Sequence, residues 1–397
     1  MKVLFVSPYL GTSYGGTSKV VLELAQSLAK LDLSVDVISS NANDGEVLDV
    51  QLQTWLTQDN YRLKYFPSWH RSDLVFSSKL LLWLNRHVKE YDIVHTHTLF
   101  SPLISLTHAL CRFHRVPYVM TPHGMLDPWA LSYKAWKKRF YYQRLEQPFL
   151  NRASVIQTLS TSEAEQVAKL GYAHSIMIPN GIHKYKFEQL PDAELFHQKF
   201  PHLRNQRLVL FLGRIDPKKG LDLLAPAFAR VNAAFPDTRL VIAGPDSIGF
   251  MPVAQSYFAK ADCLDAVTFT GMLSGSVKYA ALAAADLYVS PSYSEGFSMS
   301  VLEGMAAGLP CIITENCNFP EARTAKAAYV VKTNADCIGD ALLECLHNSD
   351  KAKQIANVSQ KFIFENYTWK KVAQKLFNFY QQIVTQEGEV TKASISI

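Results

Sequence analysis

Two glutamates, Glu295 and Glu303, stand eight positions apart in the segment SEGFSMSVLEGM, residues 294–305. An apolar strand pattern ends just before this segment, and a helical pattern begins near Ser298. Glu295 is therefore predicted in a turn and Glu303 about one and a half turns inside the helix, with its side chain leaning back toward the N-terminus. The spacing predicts two carboxylates around one helix N-terminus.

That helix N-terminus is suited to an anion, because the N–H groups of Phe297, Ser298 and Met299 have no partner within the helix. Carboxylates only accept hydrogen bonds, so a pair of them beside a phosphate site suits the hydroxyl groups of a sugar. The alternative interpretation makes Glu303 a solvated helix residue and Glu295 a capping acid. The two residues alone do not decide between these interpretations.

A second segment, FLGRIDPKKG at 211–220, supplies positive charge. A strand delivers Arg214 to its carboxyl end, Pro217 turns the chain, and Lys219 follows before a helix begins at Leu221. A guanidinium binds two phosphate oxygens at once and an ammonium neutralises charge, so this spacing suits a diphosphate.

These segments belong to a series of short apolar strands, most of them followed by helical spacing. In the second half of the chain the strands are RLVLFLGR (207–214), RLVIAGP (239–245), AVTFTG (266–271), ADLYVSPS (285–292) and LPCIIT (309–314). In the first half they are KVLFVSP (2–8), SVDVISS (34–40), YDIVHTH (91–97), PYVMTPHG (117–124) and SVIQTLS (154–160). This alternation is typical of doubly wound, mostly parallel sheets.

The two series predict an α/β protein with two Rossmann-like domains, residues 1–180 and 185–366, joined near the turn residues of IPNGIHKYKF (178–187). Two such domains in tandem are expected to face each other across a deep cleft, since open α/β sheets bind ligands at the carboxyl ends of their strands. The last predicted helix, 369–387, is a candidate for crossing back to the first domain, which the sequence does not decide.

The composition limits the classes of protein to which the chain can belong. The 397 residues are 48% hydrophobic and 19% charged, as in ordinary globular enzymes, and the net charge of +5 is too small to indicate a nucleic-acid partner. The six cysteines show no CxxC spacing, so neither a zinc site nor a disulfide framework is indicated. With no leader and no apolar run of about 18 residues, we predict a reduced, cytoplasmic protein.

One basic run, KAWKKRFYYQR at 134–144, holds five basic residues with aromatic residues between them and no acid. It is either a solvated helix face or a patch that docks on anionic lipid headgroups at the inner face of a membrane.

The loop GTSYGG at 11–16 fails two phosphate-binding motifs. It lacks the G-x-G-x-x-G spacing of dinucleotide sites, and it has no lysine after Gly16, as a P-loop would require. It is either a tight turn or a flexible loop whose backbone N–H groups, at Gly15 and Gly16, approach an anion or a sugar.

Taken together, these motifs resemble the retaining family 4 glycosyltransferases of the GT-B fold. Strand–G-R-x4-K-G is followed by P-S-x-x-E-G-F-x-x-x-V-L-E-x-M-A-x-G-x-P, in which the E-x7-E pair is specific. The resemblance covers nearly the whole chain, through GG in the first loop, TPHG, SEAE, IPNG, VIAGP and VTFTG.

The resemblance implies roles for individual residues in the donor site. Glu303 matches a glutamate that holds the donor ribose, and Glu295 one that meets hydroxyls of the transferred sugar. Arg214 and Lys219 match a pair on the diphosphate, helped by Gly16 and by the N–H groups of residues 297–299.

The resemblance implies further contacts and some departures. His123 of TPHG matches a histidine near the reacting carbon, and the backbone of Met272 falls where the base lies. His183 stands where the family often has an acid. Ser298 and Ser300 replace a common Gly-x-Pro, which bears on the fit of the donor sugar.

Other residues have plainer interpretations. His95 and His97 resemble a metal pair, but the sequence suggests no third ligand, and the family generally needs no metal. Asp127 and Pro128 are predicted as N-cap and first residue of a helix over 129–140, with a contact to the acceptor as the alternative.

We therefore expect an enzyme that moves a sugar from a nucleoside diphosphate sugar to a hydroxyl acceptor, with retention of configuration and without a cofactor. UDP-glucose is the expected donor on frequency alone, and a lipid-linked glycan is one candidate acceptor. The rival hypotheses are an epimerase or phosphorylase of the same fold and a non-catalytic nucleotide-sugar-binding subunit.

Overall fold

The computed structural model describes residues 1–43, 45–71, 74–127, 131 and 140–395. The chain forms two compact units. The first consists of Met1–Asn180 with Trp369–Ile397, and the second of Gly181–Thr368. The C-terminal helix therefore belongs to the first unit.

The first unit is built on an eight-stranded sheet. In spatial order its strands are Ser175–Met177, Val155–Thr158, Tyr118–Thr121, Ile93–His97, Lys2–Ser7, Ser34–Ser40, Tyr61–Phe66 and Trp55–Gln58. Neighbouring strands run parallel, except that Trp55–Gln58 is antiparallel to Tyr61–Phe66. The winding direction reverses between Lys2–Ser7 and Ile93–His97, which are neighbours in space but not in sequence.

Helices and two short hairpins complete this unit. The α-helices among its described residues are Gly16–Ala29, Ser78–His87, Pro102–His114, Gln147–Leu150, Thr161–Lys169 and Trp369–Ile395. The hairpins pair Ala42–Asn43 with Glu46–Val47 and Trp69–Arg71 with Leu74–Phe76. The C-terminal helix is fixed by two polar contacts: the Trp369 Nε1–H donates to Glu23 Oε2 at 2.8 Å, and the Tyr380 hydroxyl bonds His95 Nδ1.

The second unit is built on a six-stranded parallel sheet. Its strands in spatial order are Val267–Gly271, Thr238–Ala243, Arg207–Leu212, Leu287–Ser290, Cys311–Thr314 and Tyr329–Val331. Its helices are Tyr185–Glu188, Glu194–Lys199, Leu221–Ala234, Met251–Lys260, Gly275–Ala284, Met299–Ala306, Pro320–Thr324, Ala335–His347 and Ser349–Asn366. The winding reverses between Arg207–Leu212 and Leu287–Ser290, the pattern of a doubly wound fold.

Local chemistry explains how the chain turns at this reversal. Asp216 accepts a hydrogen bond from the Lys218 N–H at 2.9 Å, and Gly220, at φ 69°, begins the helix Leu221–Ala234. A Cβ on Gly220 would lie 2.2 Å from the Pro291 carbonyl oxygen, so only glycine lets the two segments approach this closely. Lys219 is thereby held beside the chain that follows the strand Leu287–Ser290.

The ten strands predicted from apolar runs are present, with ends shifted by up to three residues. The strand Tyr61–Phe66 was not predicted, although apolar Tyr61, Leu63 and Tyr65 alternate with Arg62 and Lys64 as in a half-buried strand. Both cations lie near the Trp55 ring, at 4.6 and 4.5 Å from its centroid, and Arg62 also forms an ion pair with Asp36 at 2.6 Å. These contacts compensate the two positive charges of the strand.

Two predictions from the sequence fall on parts of the chain outside the description. The helix over 129–140 and most of the basic run 134–144 lie there, since residues 128–130 and 132–139 are not described. Among the helices that are described, none is long and apolar enough to cross a membrane.

Candidate active site

In the second unit, three residues of the predicted donor site follow the two strands between which the winding reverses. Arg214 and Lys219 come after Arg207–Leu212, and Glu295 comes after the neighbouring strand Leu287–Ser290. The Lys219 Nζ donates to Glu295 Oε1 at 2.6 Å, although the two residues are 76 positions apart. Open α/β sheets bind their ligands at this edge.

Glu295 is 8% exposed and is held from both its side chain and its backbone. The Ser292 hydroxyl donates to Oε1 at 2.7 Å, the Glu295 N–H donates to the Asn316 carbonyl at 3.0 Å, and the Asn318 amide donates to the Glu295 carbonyl. Burial raises the pKa of this carboxyl, but Lys219, Lys218 and the Ser292 hydroxyl together hold the pKa below its ordinary value. Glu295 is therefore ionised at neutral pH.

Lys219 and Arg214 differ in how the protein holds them. The Lys219 ammonium carries three donors and is largely buried with its carboxylate partner. The Arg214 side chain is 48% exposed, and its Nη2 lies 3.5 Å from Asp216 Oδ2. Arg214 is thus a cation at the surface, whereas Lys219 is a component of a buried ion pair.

The helix Met299–Ala306 begins after Ser298, and no side chain caps its N-terminus. The Ser298 hydroxyl instead lies 3.2 Å from the Ser300 hydroxyl. The first backbone N–H groups of the helix consequently have no capping side chain, which is the arrangement expected of an anion site.

Glu303 lies inside this helix, is 4% exposed and is not a solvated residue as the alternative interpretation expected. The Lys278 Nζ donates to both of its oxygens, at 2.6 and 2.7 Å. Both members of the E-x7-E pair are thus bound to a lysine. Sequence reasoning missed Lys278, because its helix Gly275–Ala284 carries no motif and its partner is 25 positions away.

Phe297 and Met272, also singled out in the sequence, have different surroundings. The Phe297 ring is buried between Tyr367 and Phe319, with ring centroids at 5.8 and 5.3 Å, so only its backbone is left to meet a ligand. Met272 follows the strand Val267–Gly271 and is exposed.

In the first unit, the loop GTSYGG follows the strand Lys2–Ser7 and leads into the helix Gly16–Ala29. Gly15 is the N-cap at φ 80°, again without a side-chain cap. The loop packs on Asn43, whose Oδ1 accepts the Ser13 N–H at 3.3 Å, and a Cβ on Gly11 would collide with it. The backbone of Gly15 and Gly16 is held at the helix N-terminus, as the prediction of a binding loop requires.

His123 lies after the strand Tyr118–Thr121, at φ 55°. Its Nε2 is 3.1 Å from His97 Nδ1, and the His97 ring stacks on His95 with a centroid distance of 4.5 Å. Burial lowers the pKa of His123 to about 4, so this imidazole is neutral at physiological pH.

The contact between His97 and His123 indicates which nitrogen of His123 carries the proton. Within the described residues, the buried His97 Nε2 has no hydrogen-bond partner. A buried N–H without a partner is costly, so we assign the His97 proton to Nδ1, from which it is donated to His123 Nε2. His123 then carries its own proton on Nδ1 and can donate it to a ligand.

Glu163, from the SEAE motif, supports the loop that carries His123. Its two oxygens accept the Gly124 N–H at 2.6 Å and the Leu159 N–H at 2.7 Å. Burial raises its pKa to about 7, although the two N–H groups that donate to it act to lower that pKa. Sequence reasoning used SEAE only as part of the family resemblance and did not assign this supporting role.

The histidines of the first unit were also considered as metal ligands. Across the described ranges, no group of three or more His, Cys, Asp or Glu side chains is arranged to hold a metal ion. All six cysteines are free thiols, and only Cys337 is not buried.

The buried histidines predict how stability depends on pH. Burial lowers the pKa values of four imidazoles from 6.5: to about 3 in His95 and His108, to about 4 in His123, and well below the ordinary range in His97. The unfolded chain takes up these protons and the folded chain does not, so the free energy of unfolding is expected to fall as the pH drops below about 6.5.

Two buried carboxyl groups act in the opposite direction. Burial raises the pKa values of Glu146 and Glu163 to about 7, so their stabilising contribution is full below the ordinary pKa and is lost as the pH rises to 7. Four imidazoles outweigh two carboxyls, and the net slope between pH 6.5 and 4.5 should follow the histidines. His108→Leu, measured by urea unfolding, should reduce that slope by about 1.4 kcal/mol per pH unit, and an unchanged slope would contradict this account.

Comparison with known proteins identifies the family. The profile described as Glycosyltransferase Family 4 matches residues 14–184, and the profile described as Glycosyl transferases group 1 matches residues 192–362. The chain belongs to the family 4 glycosyltransferases. It is therefore an enzyme of the glycosyltransferase class, as the E-x7-E motif indicated.

Relatives of this family 4 glycosyltransferase match most or all of its length. A phosphatidyl-myo-inositol mannosyltransferase of Mycobacterium leprae is 24% identical over 99% of this chain and 100% of its own. A mannosylfructose-phosphate synthase of Agrobacterium fabrum is 24% identical over 77% of this chain and 73% of its own.

Solved structures of similar fold include a sucrose-phosphate synthase from Thermosynechococcus elongatus. Its TM-score is 0.78, at 19% identity, over 97% of this chain and 100% of that one. HepE from Anabaena, in complex with UDP and glucose, has a TM-score of 0.77 at 16% identity, over 96% of this chain and 100% of that one. These similarities confirm the predicted GT-B fold of the family 4 glycosyltransferase.

Proposed function

We propose that this glycosyltransferase transfers a hexose from a nucleoside diphosphate sugar to a hydroxyl acceptor with retention of anomeric configuration. The observation that carries the proposal is the contact between Lys219 and Glu295 at the edge where the second sheet reverses its winding. The contact joins a cation to a carboxylate, and the carboxylate lies in the turn just before the uncapped helix Met299–Ala306.

The proposed chemistry stabilises the leaving diphosphate. As the bond between sugar and phosphate breaks, negative charge develops on the phosphate oxygens. Lys219, Arg214 and the N–H groups from Phe297 to Met299 offer positive charge and donors to that group. We propose that the leaving phosphate then takes the proton of the acceptor hydroxyl on the same face of the sugar.

Glu295 and Glu303 are proposed to bind hydroxyl groups. Glu295 stays ionised because of its lysine partner, so it accepts hydrogen bonds from the transferred sugar. Glu303 is proposed to accept from the donor ribose, with Lys278 holding its carboxylate in place. Met272 is proposed to contact the base through its backbone.

In the first unit, His123 is proposed to donate its Nδ1 proton to a hydroxyl of the donor sugar. Its lowered pKa argues against an imidazolium and in favour of a neutral hydrogen-bonding group. Gly15 and Gly16 are proposed to approach the diphosphate through their N–H groups. We propose that no metal is needed, because cationic side chains and backbone N–H groups supply the charge; turnover should persist in excess EDTA.

Two nucleotide sugars are proposed as candidates for the donor. UDP-glucose is one candidate, and GDP-mannose is the other. GDP-mannose is suggested by a relative that is 28% identical over 51% of this chain. That relative is named as a GDP-mannose-dependent mannosyltransferase acting on a phosphatidylinositol monomannoside. Several relatives are named for phosphatidylinositol acceptors, which supports a lipid-linked acceptor and a peripheral place at the cytoplasmic side of a membrane.

A thermal-shift screen of UDP-, GDP- and ADP-sugars tests the donor. A ligand at about 100 times its Kd stabilises the folded state by about 2.7 kcal/mol, which should raise the Tm by several degrees for the cognate donor only. Equal and negligible shifts for all donors would contradict the proposal.

The rival functions are separated by the product formed from the cognate donor. The proposed enzyme should release nucleoside diphosphate slowly from the donor alone, by hydrolysis. An epimerase would instead isomerise the donor without releasing nucleotide, and a non-catalytic subunit would bind the donor and leave it intact.

A further inference from the structure

The first unit exposes large apolar side chains on neighbouring elements. They are Trp69, Leu74, Phe76, Leu82, Leu106 and Phe113. Phe113 is 78% exposed and Trp69 63%. Scattered single residues of this kind are common on protein surfaces, but a contiguous group marks an interaction site.

Three of these side chains project from one face of the short hairpin. Trp69 stands directly opposite Phe76 in the antiparallel pair, and Leu74 is two residues before Phe76 on the same strand. Side chains opposite each other, and those two residues apart, lie on the same face of a strand pair. Val75, between Leu74 and Phe76, points the other way and is buried.

The other three lie on two helices that cover the same side of the sheet. The helices Ser78–His87 and Pro102–His114 bury their inner faces in one core cluster, which they share with the strands of the sheet. The members of this cluster include Leu80, Leu84, Leu103 and Cys111 from the helices and Leu4, Val94 and Met120 from the strands. Their outer faces therefore look out from the same side. Leu106 and Phe113, seven residues apart, share one stripe of the second helix.

The exposed charges on these two helices are positive. Lys79 and Arg86 flank Leu82 on one stripe, and Arg112 and Arg115 flank Phe113. Neither Ser78–His87 nor Pro102–His114 contains an aspartate or glutamate. These two helices thus combine protruding apolar side chains with exposed basic ones.

We propose that this face docks the enzyme on a bilayer with anionic headgroups. The docking face consists of the four basic residues just named and the apolar residues Trp69, Leu74, Phe76, Leu82, Leu106 and Phe113. The apolar side chains would enter the headgroup region, and the lysine and arginine side chains would contact lipid phosphates. A second copy of the chain is the poorer occupant, because a two-fold contact would place two basic faces against each other.

The helical segment that begins at Phe140 lies beside the helix Pro102–His114. Phe140 and Arg144 are both exposed, with the guanidinium 5.8 Å from the ring centroid. The segment is tied to the helix Pro102–His114 by a 2.8 Å contact between the Tyr141 and Ser105 hydroxyls. The docking face therefore adjoins the described segment that begins at Phe140. It rests on exposure and charge and does not depend on the proposed reaction.

Co-sedimentation with vesicles tests the proposal, using phosphatidylglycerol mixed with phosphatidylcholine and, separately, phosphatidylcholine alone. The full-length chain should bind the anionic vesicles, and 0.5 M salt should weaken that binding. Leu106→Ser with Phe113→Ser should weaken it at least about tenfold. Arg112→Gln with Arg115→Gln should weaken it about fivefold for each charge removed.

A matched control is Val358→Ser, which removes an exposed apolar side chain from the helix Ser349–Asn366 of the second unit. This variant should bind as the wild type does, and all variants should keep the wild-type Tm and donor-hydrolysis rate. Anionic-vesicle binding that neither paired variant reduces would overturn the proposal, as would equal binding to neutral vesicles. A third result would also overturn the proposal: the wild type forms a dimer and does not bind vesicles, and the variant with both Leu106→Ser and Phe113→Ser is a monomer. That result would show that a second copy occupies the face.

Discussion

Replacement of Arg214 or Lys219 by alanine is expected to lower kcat by about 10²-fold or more. Both cations are proposed to stabilise charge on the departing diphosphate, and a preorganised group of this kind typically contributes a few kcal/mol in the transition state. The rate should be measured as nucleoside diphosphate released from the donor that stabilises the protein in the thermal-shift screen.

The two variants should differ in stability. Arg214 is half-exposed with one long contact, so Arg214→Ala should change the free energy of unfolding by no more than about 0.5 kcal/mol. Lys219→Ala leaves Glu295 as a buried carboxylate without its ammonium partner, and breaking such a pair costs about 3–5 kcal/mol. Lys219→Ala combined with Glu295→Gln should recover part of that stability without recovering activity.

Arg230→Ala is the matched control for these measurements. Arg230 is also a partly exposed arginine of the second unit, on the helix Leu221–Ala234, and its Nη2 is 2.6 Å from Asp340 Oδ1. It lies in none of the proposed binding elements, so its loss should leave kcat near the wild-type value. Near-normal rates in both Arg214→Ala and Lys219→Ala would remove the diphosphate assignment.

Replacement of Glu303 by alanine is expected to weaken nucleotide binding by about 10- to 100-fold. A hydrogen bond to a charged group contributes about 1.5–3 kcal/mol, and Glu303 is proposed to accept one from the donor ribose. Titration calorimetry with the free nucleoside diphosphate measures this directly, since no reaction takes place.

The ion pair with Lys278 requires a control, because Glu303→Ala also leaves that ammonium without its carboxylate. The wild type should bind a nucleotide that lacks the contacted ribose hydroxyl more weakly than the complete nucleotide, and Glu303→Ala should bind the two nearly equally. Lys278→Ala should retain the discrimination in weakened form. If Glu303→Ala still discriminates as the wild type does, Glu303 does not contact the ribose.

The sequence by itself determined the fold class and most of the strands of both sheets. These features depend on apolar periodicity and on turn residues, which act over a few neighbouring positions. The E-x7-E segment was informative for the same reason: a strand, a turn and a helix N-terminus follow each other within one short stretch. The family assignment rested on such local stretches and was confirmed.

Tertiary structure decided which side chains meet. The ion pairs Lys219–Glu295 and Lys278–Glu303 join residues 76 and 25 positions apart, and no local pattern indicates either. The support of the His123 loop by Glu163 and of His123 by His97 likewise depends on neighbouring strands being in register. The ion pair between Arg62 and Asp36, which lie opposite each other on paired strands, is a further contact between distant residues.

The C-terminal helix shows the physical reason for this division. Its apolar periodicity indicates a helix, but any apolar surface of suitable shape could cover that face. Its place on the first unit is specified by directional contacts, from Trp369 to Glu23 and from Tyr380 to His95. Hydrophobic burial is non-directional and readable from local sequence, whereas pairing between distant polar groups exists only once the chain has folded.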